Sequence, residues 1–325
     1  MTGSSWMGLG EDGDGTPDVI IQGAPYDGSV AHDPGAALAP DVLRRLAAVS
    51  PAWTEHGVSF EDLRLKDLGD IAVDQADDEA TQRAMRETSA HAVAEDPNAT
   101  LLTLGGDHSI TAGVLAGLAP QRRTGILWFD AHPDLMNTFG GIRGRKESRW
   151  NHACPLRRIL ELDHVADEDV LLVGVRDFLP EEMEQIRARG LDVVWGHELS
   201  SQSPEGLADR VERVFAECDE LYVSFDIDVL DPAFAPGTGV PVPGGMSTRM
   251  LLDTLHHLTQ KELVMEASSL PPIVGLDLVE ISPPADVNRI TSRAGMAVII
   301  QMLALLAAKR GQATRLMSAP HEDVQ

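Results

Sequence analysis

The chain reads as a single α/β domain built on one doubly wound, mostly parallel sheet. Three observations carry that expectation. Short apolar runs alternate with helical segments along the 325 residues, and strands alternating with helices close into a parallel sheet through right-handed crossovers. Several runs are apolar on both faces, as strands covered by helices on both sides must be. The composition, 43% hydrophobic but only 4% aromatic, requires a core made mainly of Val, Leu, Ile and Ala.

The expected strands are "DVIIQGAP" near residue 18, a weaker "LKDLGDIAV" at 65–73, "TLLTLGGD" at 100, "GILWFDAH" at 125, "DVLLVGVRD" at 169, "LDVVWG" at 191, "ELYVSFDID" at 220 and "IVGLDLVE" at 273. Among the helices, "PEEMEQIRARG" opens on Pro180 and the acids Glu181 and Glu182. It closes on Arg187, Arg189 and Gly190, matching the helix dipole at both ends. "SPEGLADRVERVFAEC" has Ser203 as cap and Pro204 in its first turn, and "STRMLLDTLHHL" starts at Ser247. "MAVIIQMLALLAA" at 296–308 falls short of the ~20 residues of a membrane span and is interrupted by Gln301, so a packed helix is expected. No repeat or Pro- or Ser-rich linker divides the chain. Residues 1–17 are expected to form a mobile arm, 18–310 the folded domain and 311–325 a tail.

Against 26 Lys and Arg stand 51 Asp and Glu, a formal charge of -25. That field repels a phosphate backbone and an anionic membrane, which argues against both as partners. It draws in small cations, although such a bias more often serves solubility alone. The two cysteines cannot make a disulfide framework, and the polar, acidic N-terminus has no signal-peptide pattern. A reduced, cytoplasmic protein is expected.

In sheets of this kind ligands sit beyond the carboxyl ends of the strands. There the sequence places Asp107 and His108 in "GGDHS", Asp130, His132 and Asp134 in "FDAHPD", and Asp226 and Asp228, with Asp231 just beyond, in "SFDIDVLDP". Continued as a strand, Asp130, His132 and Asp134 point the same way, successive ones roughly 7 Å apart. Taken alone, the Asp107 and His108 pair after Gly-Gly is more often a turn and helix cap than a ligand set, and Asp231 before Pro232 reads as turn chemistry. Together the set is harder to explain away. Each pair of carboxylates about 4 Å apart repels by ~4 kcal/mol at an effective dielectric of 20. Four of them in one pocket must be protonated or hold cations. Four carboxylates and two imidazoles balance two divalent ions, and the oxygen and nitrogen set without thiolate suits Mn²⁺ before Zn²⁺, with Co²⁺, Fe²⁺ and Ni²⁺ open. Two such ions can share a water and lower its pKa.

"GGDHS", "DAHPD" and "SFDIDVLDPAFAPGTGVPVPGG", with "GAPYDGSVAHDPGAALAPDVLRR" and "VGLDLVEISPP", together resemble the ureohydrolases, the arginases and agmatinases, most closely agmatinase-type members. The resemblance implies a three-layer α/β/α fold and two manganese ions. One would be held by His108, Asp130, Asp134 and Asp226, the other by Asp130, His132, Asp226 and Asp228. It implies hydrolysis of a guanidino group to urea and an amine, with His152 as proton shuttle, Glu280 as the carboxylate that grips the guanidinium and Asp228 as proton acceptor. A soluble homo-oligomer, trimer or hexamer, is usual in such families.

The segment between Asp134 and His152 departs from the family pattern. Arg143, Arg145, Lys146 and Arg149 crowd into loop 139–151, a local reversal of sign. Either it is a solvated loop paired with acidic surface, or it meets a substrate carboxylate and favours a guanidino acid over agmatine. Asn137 and Thr138 are further candidate contacts for the substrate tail. The alternatives to an agmatine-type hydrolase are therefore a guanidino-acid hydrolase, a catalytically silent metal-binding relative, and an amidohydrolase of related fold such as a deacetylase or formimino hydrolase.

Overall fold

The computed structural model describes residues 6–9, 15–30, 34–118, 122–140, 146–264 and 270–316. The elements run β1 (Val19–Gly23), α1 (Ala39–Ala47), β2 (Val58–Ser59), β3 (Leu65–Asp70), α2 (Asp78–Glu95), β4 (Thr100–Leu104), α3 (Ile110–Leu118), β5 (Thr124–Phe129) and α4 (Pro155–Ile159). They continue through β6 (Val170–Val173), α5 (Pro180–Arg189), β7 (Asp192–Val194), α6 (Pro204–Phe215), β8 (Glu220–Asp226), α7 (Thr248–Val264), β9 (Ile273–Val279), α8 (Ile290–Lys309) and β10 (Thr314–Arg315).

Eight strands form one sheet in the order β3-β1-β4-β9-β8-β5-β6-β7, and every pairing in it is parallel. Both faces are buried, and the two-residue period of a strand decides which side chain goes where. On β5, Leu127 and Phe129 join the core packed by α1, α6, α7 and α8. Ile126 and Trp128 face the opposite layer, where α2, α3, α4 and α5 pack. The result is a three-layer α/β/α domain with each of the eight anticipated strands in place.

The expected helix punctuation is present. Gly190 takes a left-handed φ of 67° at the end of α5, and the Ser203 side chain accepts from Gly206 N–H at the start of α6. α8 is the one helix among the described residues apolar and long enough to cross a membrane, and 78% of its apolar window is buried inside the protein. It is a core helix.

Both chain ends differ from expectation. Within 1–17, Trp6, Met7 and Leu9 are buried against the core, with Met7 N–H donating to Ala47 and the Trp6 indole to Asp67 at 2.8 Å. Three apolar side chains are enough to seat residues 6–9. Within 311–325, Thr314–Arg315 pairs antiparallel with β2, whose two residues carry no strand period to read.

Candidate metal centre and active site

β4, β9, β8 and β5 are neighbours, and their registers align Leu104 with Leu278, Asp226 with Val279 and Phe129 with Phe225. The four residue sets that follow these strands therefore leave the sheet at one level. After β4 the chain turns through Gly105 and Gly106 so closely against β1's loop that a Cβ on Gly106 would lie 1.9 Å from the Tyr26 carbonyl oxygen. Asp107 turns away from the rim. It accepts from Ser29 and Ser109 and ties the turn to the start of α3, so turn and cap is its role. His108 points inward.

After Phe129 the chain leaves extended geometry. The alternation expected of Asp130, His132 and Asp134 stops at the strand end, and a turn carries them instead, with Asp134 at a φ of +52°. A turn folds the carboxylates closer than a strand could. His108 Nδ1 lies 3.1 Å from Asp130, 3.2 Å from Asp134 and 3.1 Å from Asp226, and His132 Nδ1 lies 3.4 Å from Asp130 and 3.1 Å from Asp228. The ligand atoms of His108, Asp130 and Asp134 lie within 4.8 Å of one another, as do those of Asp130, His132 and Asp228, so Asp130 is shared by two groups.

The opposite edge of the His108 ring shows which nitrogen faces the cluster as a lone pair. Tyr222 OH and Ser224 Oγ both donate to Asp277, at 2.6 Å each, at the centre of the sheet. With its proton committed, Ser224 Oγ accepts from His108 Nε2 at 2.9 Å. Nδ1 is left buried without a hydrogen-bond partner, facing three carboxylate oxygens. A nitrogen lone pair among oxygens is the donor set of a hard-to-intermediate divalent cation, and the residues fit one. Trp128 Nε1 and His132 N–H steady Asp130, and Ala131 N–H and Asp226 Oδ1 steady the side chain and backbone of Asp228.

Electrostatics without cations are strained. Burial first, then the Asp130 charge, pushes Asp134 up to about 6, and burial with Asp228 and Asp130 raises Asp226 well above the carboxylate range. Against burial, the same carboxylates raise His108 and His132 well above an ordinary imidazole, while the two rings hold Asp130 down.

Glu280 follows β9, again with a left-handed φ of +62°. Its Oε1 accepts from His108 N–H at 2.8 Å and lies 3.6 Å from His152 Nδ1. His152 is partly buried beside the site, and the Glu280, Asp107 and Asp134 carboxylates raise its pKa against the opposing effect of burial. A cleft of about 180 Å³ is lined by these groups and by Met136, Phe139, Asp177, Phe178, Glu182 and Val240, among others.

Asn137 and Thr138 do not reach the cleft. Asn137 accepts from Arg158 on α4 and Thr138 donates to Glu147 within the loop, so both are spent away from the cleft while Met136 and Phe139 line the wall. Arg143 and Arg145 lie outside the described residues. Arg149 pairs with Glu161 at 2.6 Å and sits over the Trp150 ring, the surface role rather than a substrate role. Reading strand ends missed Glu182, because a first-turn acid on α5 looks like a solvated dipole partner. Its carboxylate in fact turns inward and accepts from Leu135 and Leu179 N–H. Asp277 and Ser224 were legible in principle, as polar residues inside apolar strands.

Comparison with known proteins agrees with this geometry. The sequence profile described as the Arginase family matches residues 17–304. The chain is 32% identical over 315 residues to formimidoylglutamase from Halalkalibacterium halodurans (92% of this chain, 88% of that protein) and 30% identical over 266 residues to agmatinase from Pyrococcus horikoshii (82% and 84%). The structure of proclavaminate amidinohydrolase from Streptomyces clavuligerus superposes with a TM-score of 0.81 at 29% identity, covering 94% of this chain and 97% of that one. A chain whose parallel sheet carries this cluster at its carboxyl rim, and whose sequence matches along nearly its whole length, belongs to the arginase family of binuclear-metal amidinohydrolases.

Proposed function

We propose that the protein hydrolyses the guanidino group of a small agmatine-type compound to urea and an amine, with two manganese ions as its cofactor. The observation that carries the reading is the orphaned His108 Nδ1 facing three carboxylates, next to a second group sharing Asp130, with Glu280 and His152 at the same rim. His108, Asp130, Asp134 and Asp226 would hold one ion, and Asp130, His132, Asp226 and Asp228 the other. When bound, the pair supplies Lewis acidity and a water acidic enough to attack at neutral pH.

The chain's own groups do the rest. Glu280 orients the planar guanidinium through charge-assisted hydrogen bonds, its backbone fixed by Glu280 N–H donating to Gly106. Asp228 Oδ2 accepts the proton released by the nucleophilic water. His152 carries a proton between the departing amine and solvent, its imidazole held beside Glu280 Oε1. Apolar and aromatic wall groups, Met136, Phe139, Phe178, Leu179 and Val240 among them, limit water at the reacting centre.

The tail preference follows from charge. Among the described residues the cleft is lined by Asp177 and Glu182 beyond the metal cluster, and by no Lys or Arg. A cationic tail is favoured there and a carboxylate repelled. The kinship with formimidoylglutamase supports a second reading, hydrolysis of a formimidoyl group, which yields no urea. A urea-release screen over agmatine, arginine and guanidino acids, with manganese supplied and withheld, tests both. Manganese-dependent urea from agmatine ahead of the acids is expected. Absence of urea from every guanidine overturns the reading.

A further inference from the structure

We propose that the Phe178 ring sets the length of tail the site accepts, because one side chain forms a wall of two cavities. Phe178 lines the guanidino cleft, and it also lines an adjoining hollow of about 400 Å³ whose other walls are Val175, Arg176, Met183, Trp195 and His197. This rests on the amidinohydrolase reading above and adds the residue that limits its substrate.

The ring stands at the mouth, 39% exposed, with neighbouring Asp177 more open still. Its backbone cannot swing aside. Arg176 and Asp177 N–H both donate to Ala131 O, in the turn that carries Asp130 and His132, and Leu179 N–H donates to Glu182. Among the described residues Phe178 is the one common to both linings, and the Trp195 ring meets its ring edge to face, centroids 5.8 Å apart.

The adjoining cavity is matched to apolar matter. Val175, Met183 and Trp195 supply its surface. The Arg176 guanidinium does not make it an anion site, because its N–H groups donate to the carbonyls of Gly174, Asp228, Val229, Leu230 and Val242. A guanidino compound with a short tail ends at Phe178. One with a long aliphatic or aromatic tail needs the space behind the ring.

The test compares wild type, Phe178→Ala, Phe178→Leu and Phe178→Trp on agmatine and on a guanidine bearing a longer apolar tail, by urea release with manganese. Phe178→Ala is expected to raise kcat/KM for the long substrate relative to agmatine by roughly ten-fold or more, carried by KM, with Leu intermediate and Trp unchanged or lower. A purely structural role would lower both substrates together. An unchanged ratio in both Ala and Leu overturns the length limit while leaving the reaction standing. No urea from either substrate with wild type overturns the amidinohydrolase reading beneath it.

Discussion

At the scale of single residues, Ser224 decides what His108 can do. Asp277 is a fully buried carboxylate, an unfavourable charge that its hydroxyl donors Tyr222 and Ser224 offset. That commitment of the Ser224 proton turns its oxygen into the acceptor for His108 Nε2, and so aims the Nδ1 lone pair at the cluster. Ser224→Ala is expected to lower divalent-metal affinity by roughly 10–100-fold, with excess metal restoring urea release. Metal titration by calorimetry checks this, and unaltered affinity would remove the relay from the account. Asp130 is different in kind, since both ligand groups use it. Asp130→Ala is expected to abolish urea release and to lower bound metal below two ions per chain, read by elemental analysis. Substantial turnover with metal bound normally would sink the assignment.

At the scale of elements, the turns matter more than the strands. Gly106 has the Tyr26 and Ala24 carbonyl oxygens at 1.9 and 2.7 Å from where a Cβ would stand, and both are backbone atoms that cannot move singly. Gly106→Ala is expected to destabilise the protein by about 1–3 kcal/mol or more and to weaken metal binding, because His108 lies two residues on. A melting temperature and metal affinity both equal to wild type would contradict this.

The same turns mark where the sequence stops being legible. Eight apolar runs gave eight strands because burial on both faces leaves a strong local signal, and the order of acidic and imidazole groups at their ends named the rim. Strand alternation nevertheless misplaced Asp130, His132 and Asp134, whose approach depends on the left-handed backbone at Asp134. Asn137 and Thr138 are polar and lie beside the site in sequence, yet bond to Arg158 of α4 and to Glu147 instead. Glu182 is turned inward by backbone N–H groups from Leu135 and Leu179. Such contacts are tertiary, and no spacing in the chain encodes them.

At the scale of the whole molecule, the cluster should reverse how stability responds to pH according to whether ions are present. Burial raises Asp107 and Asp134 to about 6 from 3.8 and Glu182 to about 7 from 4.5, and burial with the Asp228 and Asp130 charges raises Asp226 as well. His108 and His132 are raised as well, by the carboxylates around them. In each case the folded chain binds more protons than the unfolded one. The associated stability is present below the unfolded pKa and lost as pH rises through the folded one. Asp130, held down by the two imidazoles, acts the other way, but only below 3.8. Metal-free protein is therefore expected to lose stability as pH rises from about 4 to about 7. Ions bind only after the ligands shed those protons, so their stabilising effect grows over the same interval. The formal charge of -25 adds self-repulsion to both forms, and the difference between them isolates the site. Melting temperatures with chelator and with manganese, followed across pH, should diverge as pH rises. A constant gap, or a metal-free form that gains stability toward neutrality, would mean that these carboxylates do not share one desolvated pocket.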